Sequence, residues 1–257
     1  MTRKVVMITG GARGIGKAIG FHLGEKGYTI AVCDIDAPAG EETIRQLHKI
    51  GYEAEHFKID VTNWKSVVEA CDGVTHALGG IHVLINSAGV FRAGLVLDAP
   101  HEDWDYHFNV NGKGTFLCCK AVGQQMVRQG AGHIVNIASI SAEKVRVKSA
   151  LYGASKAAVA QFSRTLALEL VRNNIRVHCI CPGPTETEMV TELSGGDPNF
   201  REWIIKGKPE DFRGAIPLGR LCQPQDIANL IGFLISDEAS FLTGQTYFVD
   251  GGQVIVG

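Results

Sequence analysis

Two kinds of hydrophobic pattern alternate along this chain. Short runs that read as strands occupy 4–9, 28–33, 54–59, 81–85, 132–138, 175–181 and 246–250, the first of them apolar and rich in β-branched residues. Such runs, bounded by turn residues, predict strands buried on both faces. Between them lie stretches with apolar residues at helical spacing, at 15–26, 39–50, 63–78, roughly 104–129, 150–172 and 224–236. Strand and helix in strict alternation predict an α/β fold: a doubly wound parallel sheet with helices on both faces. No linker, internal repeat or low-complexity tract divides the chain, so residues 1–257 are expected to form one domain. The segment 188–217 breaks the rhythm with the turn-rich run Ser194-Gly195-Gly196-Asp197-Pro198-Asn199 and a possible short helix at 200–205. An insertion of this kind between strand and helix suits a lid over a substrate.

The first strand runs into Gly10-Gly11-Ala12-Arg13-Gly14-Ile15-Gly16 and then into a helical pattern. Strand, glycine turn and helix are the context in which such a motif binds a dinucleotide. Glycines allow the tight turn and the close approach of a pyrophosphate to the N–H groups at the helix start. Asp34 ends the second strand, 18 residues after Gly16. A carboxylate there can accept hydrogen bonds from the adenosine ribose and would repel a 2′-phosphate, which argues for NAD over NADP. Arg13 argues the other way, because it could pair with that phosphate.

Tyr152 and Lys156 lie four residues apart in a predicted helix and so share a face. An ammonium fixed beside a phenol favours the phenolate and makes it a usable proton donor and acceptor. Alone, this spacing would more often describe a half-buried tyrosine and a solvated lysine.

The ordered set Thr9-Gly10-x3-Gly14-Ile15-Gly16, Asp60-Val61, Asn86-Ser87-Ala88-Gly89, Asn111, Ser139, Tyr152-x3-Lys156, Pro182-Gly183-Pro184-Thr185 and Asp250-Gly251-Gly252 spans almost the whole chain. In this it resembles the single-domain short-chain dehydrogenases/reductases. Ser87 stands where that family usually has a second asparagine, a change that should preserve the turn. The resemblance implies a Rossmann-like sheet of seven strands in the order 3-2-1-4-5-6-7. It also implies an NAD(P)-dependent enzyme acting on CH–OH groups, with hydride transfer between nicotinamide and a secondary alcohol or ketone. Tyr152 would be the general acid or base. Lys156 would bind the nicotinamide ribose and lower the Tyr152 pKa. Ser139 would hydrogen-bond the substrate oxygen, with Ser141 the competitor by position. Asn111 rather than Asn109 would hold a water linking Lys156 to solvent. Asp60 and Val61 would hold the adenine edge, and the backbone of Asn86, Ala88 and Gly89 would line the adenosine ribose. Pro182 and Gly183 would pack on the nicotinamide, and Thr185 or Thr187 could bond its carboxamide or a phosphate.

Composition adds a few constraints. Hydrophobic residues make up 45% of the chain, enough for a large core, and the net charge of −2 gives no reason to expect nucleic acid as a partner. No run approaches a membrane span and the start lacks a signal-peptide pattern, so a cytoplasmic protein is expected. The seven cysteines show no metal-site spacing, and no metal is expected. Cys179 and Cys181 read as core thiols, and His101 and His107 as surface residues. Homotetramer formation is expected from the resemblance and from helices apolar on more than one face.

The substrate is less defined. Arg146 and Lys148 border the active site in this family and could receive a carboxylate or phosphate, or could form a solvated basic loop. Arg146, the run from Pro182 to Met189, and Ile216-Pro217-Leu218-Gly219 are also similar to the dihydrodiol carboxylate dehydrogenases of siderophore pathways. Met189 is a further candidate for substrate contact. Other readings are a 3-oxoacyl thioester reductase using NADPH, a dinucleotide-binding sensor of the same fold without chemistry, and a scaffold subunit. The sensor reading is weakened by the presence of the tyrosine, lysine and serine together.

Overall fold

The computed structural model describes residues 3–256. Seven parallel strands form one sheet in the order β3-β2-β1-β4-β5-β6-β7. They are β1 (Val5–Thr9), β2 (Thr29–Asp34), β3 (Ala54–Lys58), β4 (Val83–Asn86), β5 (Gly132–Ile137), β6 (Ile175–Pro182) and β7 (Thr246–Val249). The order predicted from the resemblance is the order found.

Alternate residues of each strand feed two cores. Val6 and Ile8 of β1, with Ile30 and Val32 of β2, face α1 (Gly14–Glu25), α2 (Ala37–Lys49) and α9 (Pro224–Leu234). Val5 and Met7, with Ala31 and Cys33, face α3 (Trp64–Leu78), α5 (Thr115–Gln129) and α6 (Ala150–Leu170). Because both faces are covered, the central strands β1, β2 and β4 are apolar at nearly every position, whereas the edge strand β3 carries Glu55, His56 and Lys58. The strand order reverses direction between β1 and β4, and the loops after these strands open a crevice at their carboxyl ends.

Three departures from the predicted elements matter. The helix expected over 104–129 begins as α4 (Glu102–His107), widens into a π-helical stretch at Phe108–Gly114, and continues as α5. Asn111 sits in the widened turn. The segment 188–217 carries two helices, α7 (Glu188–Leu193) and α8 (Phe200–Lys206), where one was expected. They share a small core of Ile204, Ile216 and Leu221, with Val190, Phe200 and Ile205 against it. Finally, α2 starts at Ala37, two residues early, because Asp36 accepts from the Ala39 N–H at 3.1 Å and Pro38 suits the first turn.

Candidate active site

The glycine turn after β1 is shaped as a phosphate cradle. Gly10 has φ +64°, and a Cβ there would stand 2.7 Å from the Ala88 backbone. A Cβ on Gly16 would stand 2.2 Å from the Gly10 carbonyl oxygen. Only glycine permits this approach of strand end to helix start. No side chain caps α1, and its first turn holds no acidic residue, so its leading N–H groups and dipole are suited to an anion. Ile15 packs on the sheet beneath the turn, and Thr187 leans over Gly14, where a Cβ would lie 3.2 Å from its methyl carbon. These residues fit a dinucleotide pyrophosphate.

Asp34 ends β2 beside this turn. Its Oδ2 accepts from the Ala12 N–H and its Oδ1 from the Asp36 N–H, each at 3.1 Å. The carboxylate is thereby fixed at the strand tip. Arg13 does not reach toward Asp34; its Nη2 pairs with Asp36 Oδ2 at 2.5 Å.

Further along the crevice, Asp60 Oδ1 accepts from the N–H and hydroxyl of Thr62 and holds its loop in shape. Val61 is buried and packs against Gly114 of the π turn. The Ala88 N–H points to Thr9 Oγ1 at 3.3 Å. Asn86 turns its side chain away from the crevice. Its Nδ2 donates to Asn136 Oδ1 at 2.8 Å, and Asn136 donates in turn to Ser163 Oγ at 2.8 Å. This buried polar ladder ties β4 and β5 to α6. The expected backbone role of the Asn86–Gly89 segment remains compatible with it.

The candidate catalytic residues converge between β4, β5 and α6. Asn111 Nδ2 donates to the Val90 carbonyl at 3.1 Å and to Ser155 Oγ at 3.0 Å, while its Oδ1 accepts from the Val90 N–H at 2.9 Å. The π turn therefore presents Asn111 as a clamp between the β4 loop and α6. A Cβ on Gly89 would stand 3.3 Å from Asn111 Oδ1 and 3.4 Å from Lys156 Nζ, so Gly89 separates those two polar groups. Lys156 is buried and its Nζ donates to the Ile137 carbonyl at 2.9 Å. Burial pushes its ammonium down to about 8.

Ser139 caps a short 3-10 turn, its Oγ accepting from the Ser141 N–H at 3.1 Å. This turn rests on α6 at Gly153, where a Cβ would lie 2.8 Å from the Ser141 carbonyl. Ser139 is thus placed by its own turn, and Ser141 serves as the turn's backbone. The Tyr152 ring meets the edge of Phe91 with centroids 4.7 Å apart and that of His107 at 6.2 Å.

Two expectations are corrected here. Lys156 was expected to lower the Tyr152 pKa, but the phenol stands above its ordinary value. Burial raises it, and Ser139 hydrogen bonding and the Arg146 charge only partly offset this. The Lys156 ammonium lies 5.9 Å from the Tyr152 ring centre and is engaged with Ile137. His107, expected at the surface, is fully buried. One ring nitrogen accepts from the Arg92 N–H at 3.0 Å, which leaves the other to donate to the Asp103 carbonyl at 2.7 Å. It braces the loop that carries Phe91. It shares this inward face of α4 with Asp103, one helical turn earlier. His101 is exposed as expected.

Pro182 ends β6, and Gly183 packs tightly on Asp250, where a Cβ would lie 2.9 Å from its Cα. Thr185 is buried and donates to the Gly183 carbonyl at 2.9 Å, whereas Thr187 is partly exposed above the glycine turn. Of the two threonines, Thr187 is the more open and lies nearer the glycine turn. Met189 lies on α7 and is 38% exposed, outside the cluster around Tyr152. Arg146 is drawn inward rather than solvated, its Nη2 donating to Gln253 Oε1 at 2.6 Å. Gln253 and Arg213, which join Arg146 at this end, carried no signal in the sequence because their meeting depends on the path of the last turn.

A family model described as enoyl-(acyl carrier protein) reductase matches residues 10–253. The chain is 37% identical over 252 residues to the 2,3-dihydro-2,3-dihydroxybenzoate dehydrogenase of Bacillus subtilis, covering 98% of this chain and 96% of that protein. It is 36% identical over 252 residues to the 3-oxoacyl-[acyl-carrier-protein] reductase of Thermotoga maritima, covering 98% of each. The structure matches that of a gluconate 5-dehydrogenase from Burkholderia cenocepacia in complex with NADP and tartrate. The TM-score is 0.91 with 30% identity, over 100% of this chain and 97% of that one. The chain belongs to the short-chain dehydrogenase/reductase family and is an oxidoreductase.

Proposed function

We propose that this protein is an NAD(H)-dependent oxidoreductase that interconverts a secondary alcohol and a ketone. The observation that carries this reading is the convergence of Tyr152, Ser139, Lys156 and Asn111 beside a glycine-built phosphate cradle. A nicotinamide dinucleotide, when bound, supplies or accepts the hydride. In reduction the Tyr152 hydroxyl gives its proton to the developing alkoxide, and in oxidation its oxygen takes the alcohol proton. Ser139 Oγ donates to the same substrate oxygen as negative charge gathers there. Lys156 holds the nicotinamide ribose, and Asn111 positions the water through which its ammonium communicates with solvent. Gly10, Gly14, Ile15 and Gly16 hold the pyrophosphate, Asp34 the adenosine ribose, Asp60 and Val61 the adenine, and Pro182, Gly183 and Thr187 the nicotinamide side. The helices of 188–217 close over the substrate as a lid.

The engagement of Arg13 by Asp36, beside a fixed Asp34, favours NAD over NADP. It weighs against the 3-oxoacyl reductase reading with NADPH. Residues 1–257 act as one domain, and the working form is a homotetramer built on the exposed apolar residues of α4 to α6, among them Trp104, Phe116 and Leu168. A reducing compartment such as the cytoplasm suits seven free thiols. The deciding experiment follows NADH absorbance against a panel of secondary alcohols and ketones, with Tyr152→Phe as control. A wild type that turns over none of them, or a variant as active as the wild type, overturns the reading.

A further inference from the structure

Two arginines that meet through the chain's last turn, one of them beside Tyr152, have no part in the proton and hydride chemistry. Arg146 follows the Ser139 turn, and Arg213 comes from the loop after α8. Gln253 joins them. It is fully buried; its Oε1 accepts from Arg146 Nη2 at 2.6 Å, and its Nε2 donates to the carbonyl of Gly214, the neighbour of Arg213, at 3.1 Å. Lys144 pins the same tail, donating to the Gln253 and Val256 carbonyls. Arg146 lies close enough to Tyr152 for each to act on the other's ionisation.

The two guanidinium groups repel each other, and burial disfavours the charge of both. The Nε–H of each is buried and has no hydrogen-bond partner among the described residues. The carboxylates that act on them are engaged elsewhere. Asp250 accepts from the N–H groups of Gly252 at 3.0 Å and Val254 at 2.6 Å, and Asp211 pairs with Lys208 at 2.7 Å. Half-buried like charges with buried, unfilled Nε–H donors are costly unless an anion completes them. Guanidinium forks match the two oxygens of a carboxylate.

We propose that Arg146 and Arg213 form the receptor for a carboxylate on the substrate, so that the enzyme acts on hydroxy acids and oxo acids. This inference rests on the oxidoreductase reading and gives it a substrate class. The carboxylate belongs a few bonds from the reacting carbon, because the Arg146 charge lies within electrostatic reach of the Tyr152 phenol. An acyl-carrier thioester carries its phosphate at the far end of a long pantetheine arm and does not meet that requirement.

Calorimetric titration with cyclohexanecarboxylate and cyclohexanecarboxamide, in the presence of NADH, tests the receptor without turnover. The acid is expected to bind the wild type at least about tenfold more tightly than the amide, as a charge-assisted hydrogen bond implies. Arg146→Gln and Arg213→Gln should each bring that ratio toward one, with Arg213→Lys between. An amide that binds as well as the acid overturns the proposal, as does a ratio unchanged in both glutamine variants. Cyclohexyl phosphate binding more tightly than the acid overturns the carboxylate assignment. In parallel, kcat/KM for 3-hydroxycyclohexanecarboxylate should exceed that for its methyl ester by a similar factor. Failure of the oxidoreductase reading looks different: no alcohol or ketone is turned over, whichever way the acid and amide compare in binding.

Discussion

The Nζ of Lys156 donates to the carbonyl oxygen of Ile137 at 2.9 Å, locking the first turns of α6 to the end of β5. The same helix carries Tyr152, so this bond, with the ladder through Ser163 and the Asn111–Ser155 contact, holds both side chains in place above the sheet. Tyr152→Phe should abolish turnover and leave NADH binding intact, because only the transferable proton is lost. Lys156→Met should weaken cofactor binding and activity together, since the lysine anchors the helix and, in its proposed role, the ribose. Ser139→Ala should lower kcat by roughly 10²–10³-fold with little change in NADH affinity. Turnover assays paired with NADH fluorescence titrations separate the three.

The pH dependence follows from burial of the phenol. Tyr152 is held above its ordinary ionisation range, so the free enzyme carries the neutral phenol at neutral pH. That form is the acid needed for ketone reduction, and the base needed for alcohol oxidation is its scarce conjugate. Oxidation measured as kcat/KM should therefore rise steadily as pH increases from 7 toward 9, while reduction stays level or falls. An oxidation profile flat across that range would place the base elsewhere.

The frame of this site was legible in the sequence for a physical reason. Central strands buried on both faces, such as β1 and β2, are largely apolar, and Gly16, against the Gly10 carbonyl, tolerates no side chain. Local constraints of that kind leave local marks. The parts that were missed depend on distant pieces meeting. His107 turns inward on the same face of α4 as Asp103, and the Arg92 N–H that meets it comes from a loop 15 residues earlier. Arg146 turns inward because Gln253, 107 residues later, folds back to receive it. The lysine's expected effect on the phenol failed because spacing on a helix shows which residues share a face but not which partner each will choose.

Acid should destabilise the fold through two buried histidines on neighbouring strands. His178 on β6 has no partner for either ring nitrogen among the described residues, and His133 on β5 lacks one for Nδ1. Burial, aided by the charge of Arg176, pushes both down to about 4. The unfolded chain, with histidine near its ordinary value of about 6.5, binds more protons over the interval between. Stability from this source is full above pH ~6.5 and is lost as pH falls toward about 4. Tm should drop between pH 7.5 and 5. The drop should be smaller in His178→Phe, and an equal drop in that variant would remove His178 from the account.

Assembly is the next expectation. Leu168 on α6 is 79% exposed, and Trp104 and Phe116 are 50% and 44% exposed on the continuous α4–α5 helix. Large apolar side chains on adjacent helices suit a helix-on-helix interface. Light scattering at micromolar concentration should give a tetramer, and Leu168→Glu should shift it toward smaller species. A monomeric wild type rules the tetramer out.

Cofactor choice turns on three side chains at the end of β2. Asp34 is held in place by the N–H groups of Ala12 and Asp36 and has its remaining lone pairs to offer a ribose diol. A 2′-phosphate there would meet that carboxylate and, close behind it, Asp36. Arg13, the cation that could offset them, is paired with Asp36 and half exposed to solvent. To help NADP it must leave one anion in order to approach another, so its net contribution is small. Charge-assisted hydrogen bonds are worth about 1.5–3 kcal/mol, and about 1.4 kcal/mol corresponds to tenfold. NAD should therefore be preferred by at least about tenfold in kcat/KM. Asp34→Ala should erode the preference. Asp36→Ala should release Arg13 and improve NADP selectively, an effect that disappears when Arg13→Ala is added. If the wild type prefers NADP, Arg13 has left Asp36 for the phosphate and the assignment to NAD is wrong.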